Sequence, residues 1–65
     1  MNFYMTIGRL VRTNSGARRH GDIGIVVDMY NRWFDTYEEE LVVTVLYTNP
    51  IEQLEWTDRN LEILG

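Results

Sequence analysis

With 65 residues, ten carboxylates against six cationic side chains and a net charge of -4, the chain has room for one small domain (residues 1–65) and too little positive charge for a general DNA-coating surface. It contains no Cys and one His, so neither a disulfide nor a Cys/His metal site reinforces its core. No apolar run approaches the about 20 residues of a membrane-spanning helix. The N-terminal residues carry no basic region before an apolar stretch, so no signal peptide is read. These features lead to the expectation of a soluble protein, cytoplasmic or carried on a virion.

Residues 1–6 read as a tail or an edge segment, too apolar in Phe3, Tyr4 and Met5 to be purely solvated. Ile7–Thr13 alternates as a first strand, with Val11 inward and Arg9 and Arg12 at the rim or outside. Asn14-Ser15-Gly16 is a turn signal, and the loop runs on through Arg18, Arg19 and His20 to Gly21. Ile23–Tyr30 is a second strand. Alternation predicts Ile25 and Val27 in the core, and Gly24 marks a bulge, a bend or a close backbone approach. Residues 31–40 are the irregular part, a long hairpin connection with some strand at either end. Tyr30, Trp33, Phe34 and Tyr37 bring four of the eight aromatic rings into this region, followed by Glu38–Glu40.

Leu41–Thr48 is the strongest strand, rich in β-branched residues, with Val43, Val45 and Tyr47 inward. Asn49-Pro50 turns the chain, because Pro cannot donate to a ladder. Ile51–Trp56 is the fourth strand, with Leu54 and Trp56 on one face and Gln53 and Glu55 on the other. Thr57–Asn60 reads as a single 3₁₀ turn capped by Thr57 or Asp58, and Leu61–Leu64 as a closing strand with Leu61 and Ile63 inward. The expected fold is all-β, a small five-stranded barrel with a 3₁₀ turn before the last strand.

The sequence Gly8-Arg9-Leu10-Val11-Arg12, then Gly21-Asp22-Ile23-Gly24-Ile25-Val26-Val27, then Val43-Thr44-Val45-Leu46-Tyr47 and a terminal Asn60-Leu61-Glu62-Ile63-Leu64 resembles SH3-like barrels. It is similar to the KOW-type domains of ribosomal proteins and elongation factors, and to the small barrel subunit of photosystem I. In style it resembles short barrel proteins of tailed phages, cyanophages among them. The resemblance covers residues 7–64. It implies a barrel closed by the 3₁₀ turn and, from KOW domains, contact of Arg18, Arg19 and His20 with RNA or protein.

Charge is unevenly placed. Residues 1–34 hold five Arg and two Asp, a balance of +3, and residues 35–65 hold eight carboxylates and Arg59, a balance of -7. His20 is the only imidazole and sits in an Arg-rich loop with no nucleophile or orienting group beside it in sequence. Adjacent strand positions send Glu38–Glu40 to alternate faces, and no Gly-rich phosphate loop precedes a helix. No catalytic group, no metal site, no cofactor and no small-molecule substrate are therefore expected.

The sharpest functional signal is Arg32, Trp33, Phe34 and Tyr37, because aromatics and Arg dominate protein–protein contacts. The same rings could equally plug one end of the barrel. The leading expectation is a non-enzymatic interaction or structural module, of a phage accessory kind, that binds another protein or itself. A nucleic-acid or ribonucleoprotein binder using Arg9, Arg12, Arg18, Arg19, His20 and Arg32 is the alternative. A third is an acidic mimic of nucleic acid that inhibits a host enzyme.

Overall fold

The computed structural model describes residues 5–16, 18–33 and 37–64. Expectations placed on Phe3, Tyr4 and Phe34 lie outside them. Five antiparallel strands form one sheet: β1 (Leu10–Thr13), β2 (Ile23–Trp33), β3 (Glu39–Thr48), β4 (Ile51–Thr57) and β5 (Leu61–Leu64), in the order β4-β3-β2-β1-β5. A 3₁₀ turn, Asp58–Asn60, separates β4 from β5. The all-β expectation and the place of the 3₁₀ turn are thus observed. Asn60 fixes that turn: its side-chain oxygen accepts from the Thr57 amide at 3.2 Å and from the Thr57 hydroxyl at 2.8 Å, and its amide nitrogen donates to Ser15 Oγ at 2.6 Å.

The core is built mainly of valines: Val11, Val26, Val43 and Val45, with Tyr47 and Leu61. Met5, Met29, Leu41, Leu54, Trp56 and Ile63 pack around it. Val11, Val43, Val45, Tyr47 and Leu61 lie where alternation places them. The first strand is shorter than expected, because the chain turns at Ile7–Gly8, where Gly8 has φ +95°. This approach is still tied to β2: the Gly8 amide donates to the Val26 carbonyl and the Val26 amide donates to the Arg9 carbonyl.

The second strand corrects the expected facing. Gly24 and Val26 point inward, Ile25 is exposed and Val27 is half-buried. The reason is a β-bulge: Val26 pairs with Val45 and Asp28 with Thr44, so Val27 is an extra residue with no partner on β3. The bulge shifts the alternation by one, which brings Met29 onto the core side opposite Val43. Before the bulge, the inward place beside Val11 belongs to Gly24. A Cβ there would stand 2.5 Å from Val45 Cγ1, 2.7 Å from the Leu46 carbonyl oxygen and 3.1 Å from Tyr47 Cδ1. The missing side chain lets the Tyr47 ring on β3 reach across β2 to β1, where its hydroxyl meets Thr13 Oγ1. Trp56 Nε1 on β4 donates to the same hydroxyl at 2.8 Å. One phenol oxygen therefore joins β1, β3 and β4 inside the protein.

The Arg-rich loop between β1 and β2 folds over the turn between β3 and β4, which contains a cis Asn49–Pro50 peptide. Ser15 and Gly16 in this loop lie beside the 3₁₀ turn and Trp56, with the Gly16 position 3.0 Å from Trp56 Cζ3 for any added Cβ. The Asn14 amide donates to the Asn60 carbonyl at 2.9 Å.

Candidate functional site

Beyond the bulge, β2 and β3 continue as a two-stranded hairpin past the end of the valine core. Their register sets Asn31 opposite Leu41, Arg32 opposite Glu40 and Trp33 opposite Glu39. Alternation places Asn31, Trp33, Glu39 and Leu41 on the side that carries Met29 and Val43 lower down. Leu41 still packs against the core, and the space between this end of the hairpin and the 3₁₀ turn is an open cleft of about 600 Å³. It is lined by Asn31, Tyr37, Glu38, Glu39, Glu40, Leu41, Asp58 and Arg59. Trp33, the ladder partner of Glu39, is 63% exposed, and Tyr37 is 91% exposed. Of the two sequence alternatives for these rings, a plug or a surface, the described rings lie on the surface.

Ion pairs arrange the charge around the cleft. Glu40 has only 9% of its side chain exposed and takes both nearby guanidinium groups: Arg32 Nη2 at 3.1 Å from Oε2 and Arg59 Nη2 at 3.5 Å from Oε1. Arg32 thus braces the hairpin from β2, and Arg59 braces it from the 3₁₀ turn. Glu39 and Asp58 belong to no ion pair among the described residues. Farther down β2, the Tyr30 hydroxyl donates to Glu55 Oε2 on β4 at 3.1 Å. That bond to the carboxylate raises the Tyr30 pKa above its ordinary value, with help from partial desolvation and from the Glu55 charge itself.

The Arg-rich end is arranged differently. Arg12 pairs with Glu62 at 3.2 Å across β1 and β5, and Arg18 pairs with Glu52. Arg19 is folded back: its guanidinium lies 4.5 Å from the centre of the Tyr47 ring, and its side chain is only 11% exposed. Nη1 and Nη2 donate to the Asn49 and Pro50 carbonyls, each at 3.3 Å. Nε stands 3.2 Å from the Asp22 carboxylate without the alignment of a hydrogen bond. The backbone of Arg19 is left-handed, with φ +58°. His20 Nε2 donates to the Asn14 carbonyl at 3.2 Å, and Arg9 is half-buried on the approach to β1. Arg18, Arg19 and His20 share the loop at this end of the molecule, whereas Arg9 lies before the start of β1 and Arg32 belongs to the other end.

Sequence reasoning missed an aliphatic row on the outer face of the sheet. Leu64, Leu10, Ile25 and Leu46 are successive partners across β5, β1, β2 and β3, and Leu10 is half exposed. The signal that finds it is Gly24: a strand glycine with no turn to make is needed on the crowded side, which sends its neighbours Ile23 and Ile25 outward.

Among the described residues no group of three or more His, Asp or Glu side chains is arranged to hold a metal ion, and no helix is long and apolar enough to cross a membrane. No protein-family model matches the chain, and no curated protein or solved structure is significantly similar to it.

Proposed function

We propose that the protein is a non-enzymatic interaction module with an SH3-like barrel fold, and that it binds a protein partner through the far end of the β2–β3 hairpin. The fold assignment is supported by the β4-β3-β2-β1-β5 order, by the joining of β1, β3 and β4 at the Tyr47 hydroxyl and by the 3₁₀ turn before β5. The observation that carries the binding assignment is the exposure of Trp33 on a hairpin that ion pairs hold in place. A large amphipathic ring presented on a fixed backbone loses little entropy when it is covered, which is why such rings dominate protein interfaces. The nucleic-acid alternative is less well supported, because Arg12, Arg18, Arg19, Arg32 and Arg59 all face carboxylates of their own chain. A phosphate would have to displace each of them.

The test is selection of a random displayed-peptide library on the immobilised protein, with the Trp33→Ala variant as counter-selection. Peptides retained by the native chain and lost on the variant support the proposal. Peptides that bind both equally, or none retained, overturn it. Trp33 lies outside the core, so its replacement changes unfolding free energy by no more than about 0.5 kcal/mol, and loss of binding cannot be ascribed to loss of fold.

A further inference from the structure

The geometry points to a cationic partner: the hairpin end receives a protein segment bearing Lys or Arg, with its charged head among the Glu39 and Asp58 carboxylates and its aliphatic stem against Trp33 and Tyr37. This inference rests on the interaction site proposed above and adds the chemistry of what fills it. Two independent observations combine. The first is apolar: Trp33 and Tyr37 are the two most exposed of the aromatic rings in the described residues; Tyr37 lines the cleft, and Trp33 is the ladder partner of Glu39, which also lines it. The second is electrostatic. The two guanidinium groups within reach, Arg32 and Arg59, both engage Glu40, so they do not balance Glu39 and Asp58 on the same cleft.

At the opposite end the bookkeeping of charge is the reverse. Arg18 faces Glu52 and Arg19 faces Asp22, so that surface is nearly neutral. Around the cleft the four carboxylates of Glu38, Glu39, Glu40 and Asp58 outnumber the guanidinium groups of Arg32 and Arg59 by two. An incoming ammonium or guanidinium gains from both features at once, since a cation over a Trp or Tyr face is attracted by the ring and its stem covers apolar surface. A concave wall with an excess of negative charge also steers such a group during encounter. An acidic or phosphate-bearing partner would meet like charge here, and a second copy of this chain could offer Arg12, Arg18, Arg19, Arg32 or Arg59 only by breaking one of its own Arg–carboxylate pairs.

The library selection separates this inference from the one beneath it. Peptides that depend on Trp33 are sequenced, synthesised and titrated into labelled protein, with the amide and indole resonances followed by NMR. The expected result is enrichment in Lys or Arg, with shifts at the Trp33 indole and at the Tyr37, Glu39 and Asp58 amides. The Glu39→Gln/Asp58→Asn double variant, which leaves Trp33 in place, is expected to weaken binding at least tenfold and to flatten its dependence on salt. Trp33-dependent peptides that are neutral or acidic, or that bind the double variant unchanged, overturn the cationic partner and leave the interaction site standing. Loss of Trp33 dependence itself overturns both. Shifts at the same residues that grow with protein concentration alone, or on adding an oligouridylate, reassign the surface to a second copy or to nucleic acid and overturn the inference.

Discussion

Tyr47 is fully buried, and its hydroxyl accepts from Trp56 Nε1 while contacting Thr13 Oγ1. Replacing it with Phe keeps the ring and orphans one or two buried polar groups, each worth about 1–3 kcal/mol. The Tyr47→Phe variant is expected to lose about 3 kcal/mol, read as a lower urea midpoint at unchanged slope. Gly24 is the second position where one atom decides. Its φ is ordinary, so the requirement is for space rather than backbone freedom, and one of the two closest atoms is a backbone carbonyl oxygen that a rotamer change cannot move. Overpacking of this kind costs about 1–3 kcal/mol or more. The Gly24→Ala variant is expected to unfold at a markedly lower temperature than the native chain, whereas Gly21→Ala, with open space around it, meets only the strain of its φ of +86°. Tyr30 supplies a pH signature. Because its phenol is more acidic in the unfolded chain than in the folded one, its hydrogen bond to Glu55 stabilises the fold fully below pH 10, and this contribution fades as pH rises beyond that. Ultraviolet titration is expected to show one of the tyrosines ionising late, and Glu55→Gln is expected to move that ring back toward its ordinary value.

At the scale of elements, β3 was the most legible part of the chain. Its run of β-branched residues has one reading, and both the strand and its inward Val43, Val45 and Tyr47 agree with the structure. Strand β5 and the 3₁₀ turn were also legible, because Asn60 and Thr57 are residues that close such turns. Strand β2 was not legible in its facing. Ile23, Ile25 and Val27 form an apolar alternation that imitates an inward face, and a bulge leaves no composition signal of its own. The outcome was set by Tyr47, 23 positions beyond Gly24 in sequence, which needs the Gly24 gap. The candidate site was legible in part. Arg32, Trp33 and Tyr37 stand out by type, but the cleft beside them depends on the 3₁₀ turn that carries Asp58 and Arg59, and no local pattern links it to the hairpin. The inward turn of Arg19 was likewise invisible, since a folded-back guanidinium and a free one share the same neighbours in sequence.

Over the whole molecule, burial is uneven along β2 and β3. Between Gly24 and Met29 the hairpin is backed by the valine core, whereas between Asn31 and Trp33 it faces the cleft. Local opening follows such differences in covering. Native-state hydrogen exchange is therefore expected to be slowest at the amides of Val26, Val43 and Val45 and faster by an order of magnitude or more at Arg32 and Glu40, although both lie in the same ladder. Equal protection along the two strands would show that the ion pairs to Glu40 stiffen the far end as strongly as the core does. A domain of this size holds only about 3–5 kcal/mol in reserve, so the Tyr47 and Gly24 changes each consume most of it, and the cleft can be altered with little effect on the fold. The unpaired Val27 has a consequence of its own. It acts as a phase correction in the strand: Val26 pairs with Val45 and Asp28 with the next residue, Thr44, so excising that single residue would close the ladder and leave every later facing as it is. A ladder that kept Val27 and paired it with Thr44 would instead exchange the faces of Met29 and Tyr30 and carry Trp33 to the other side of the hairpin, so the looped-out residue is what sets which wall the indole stands on.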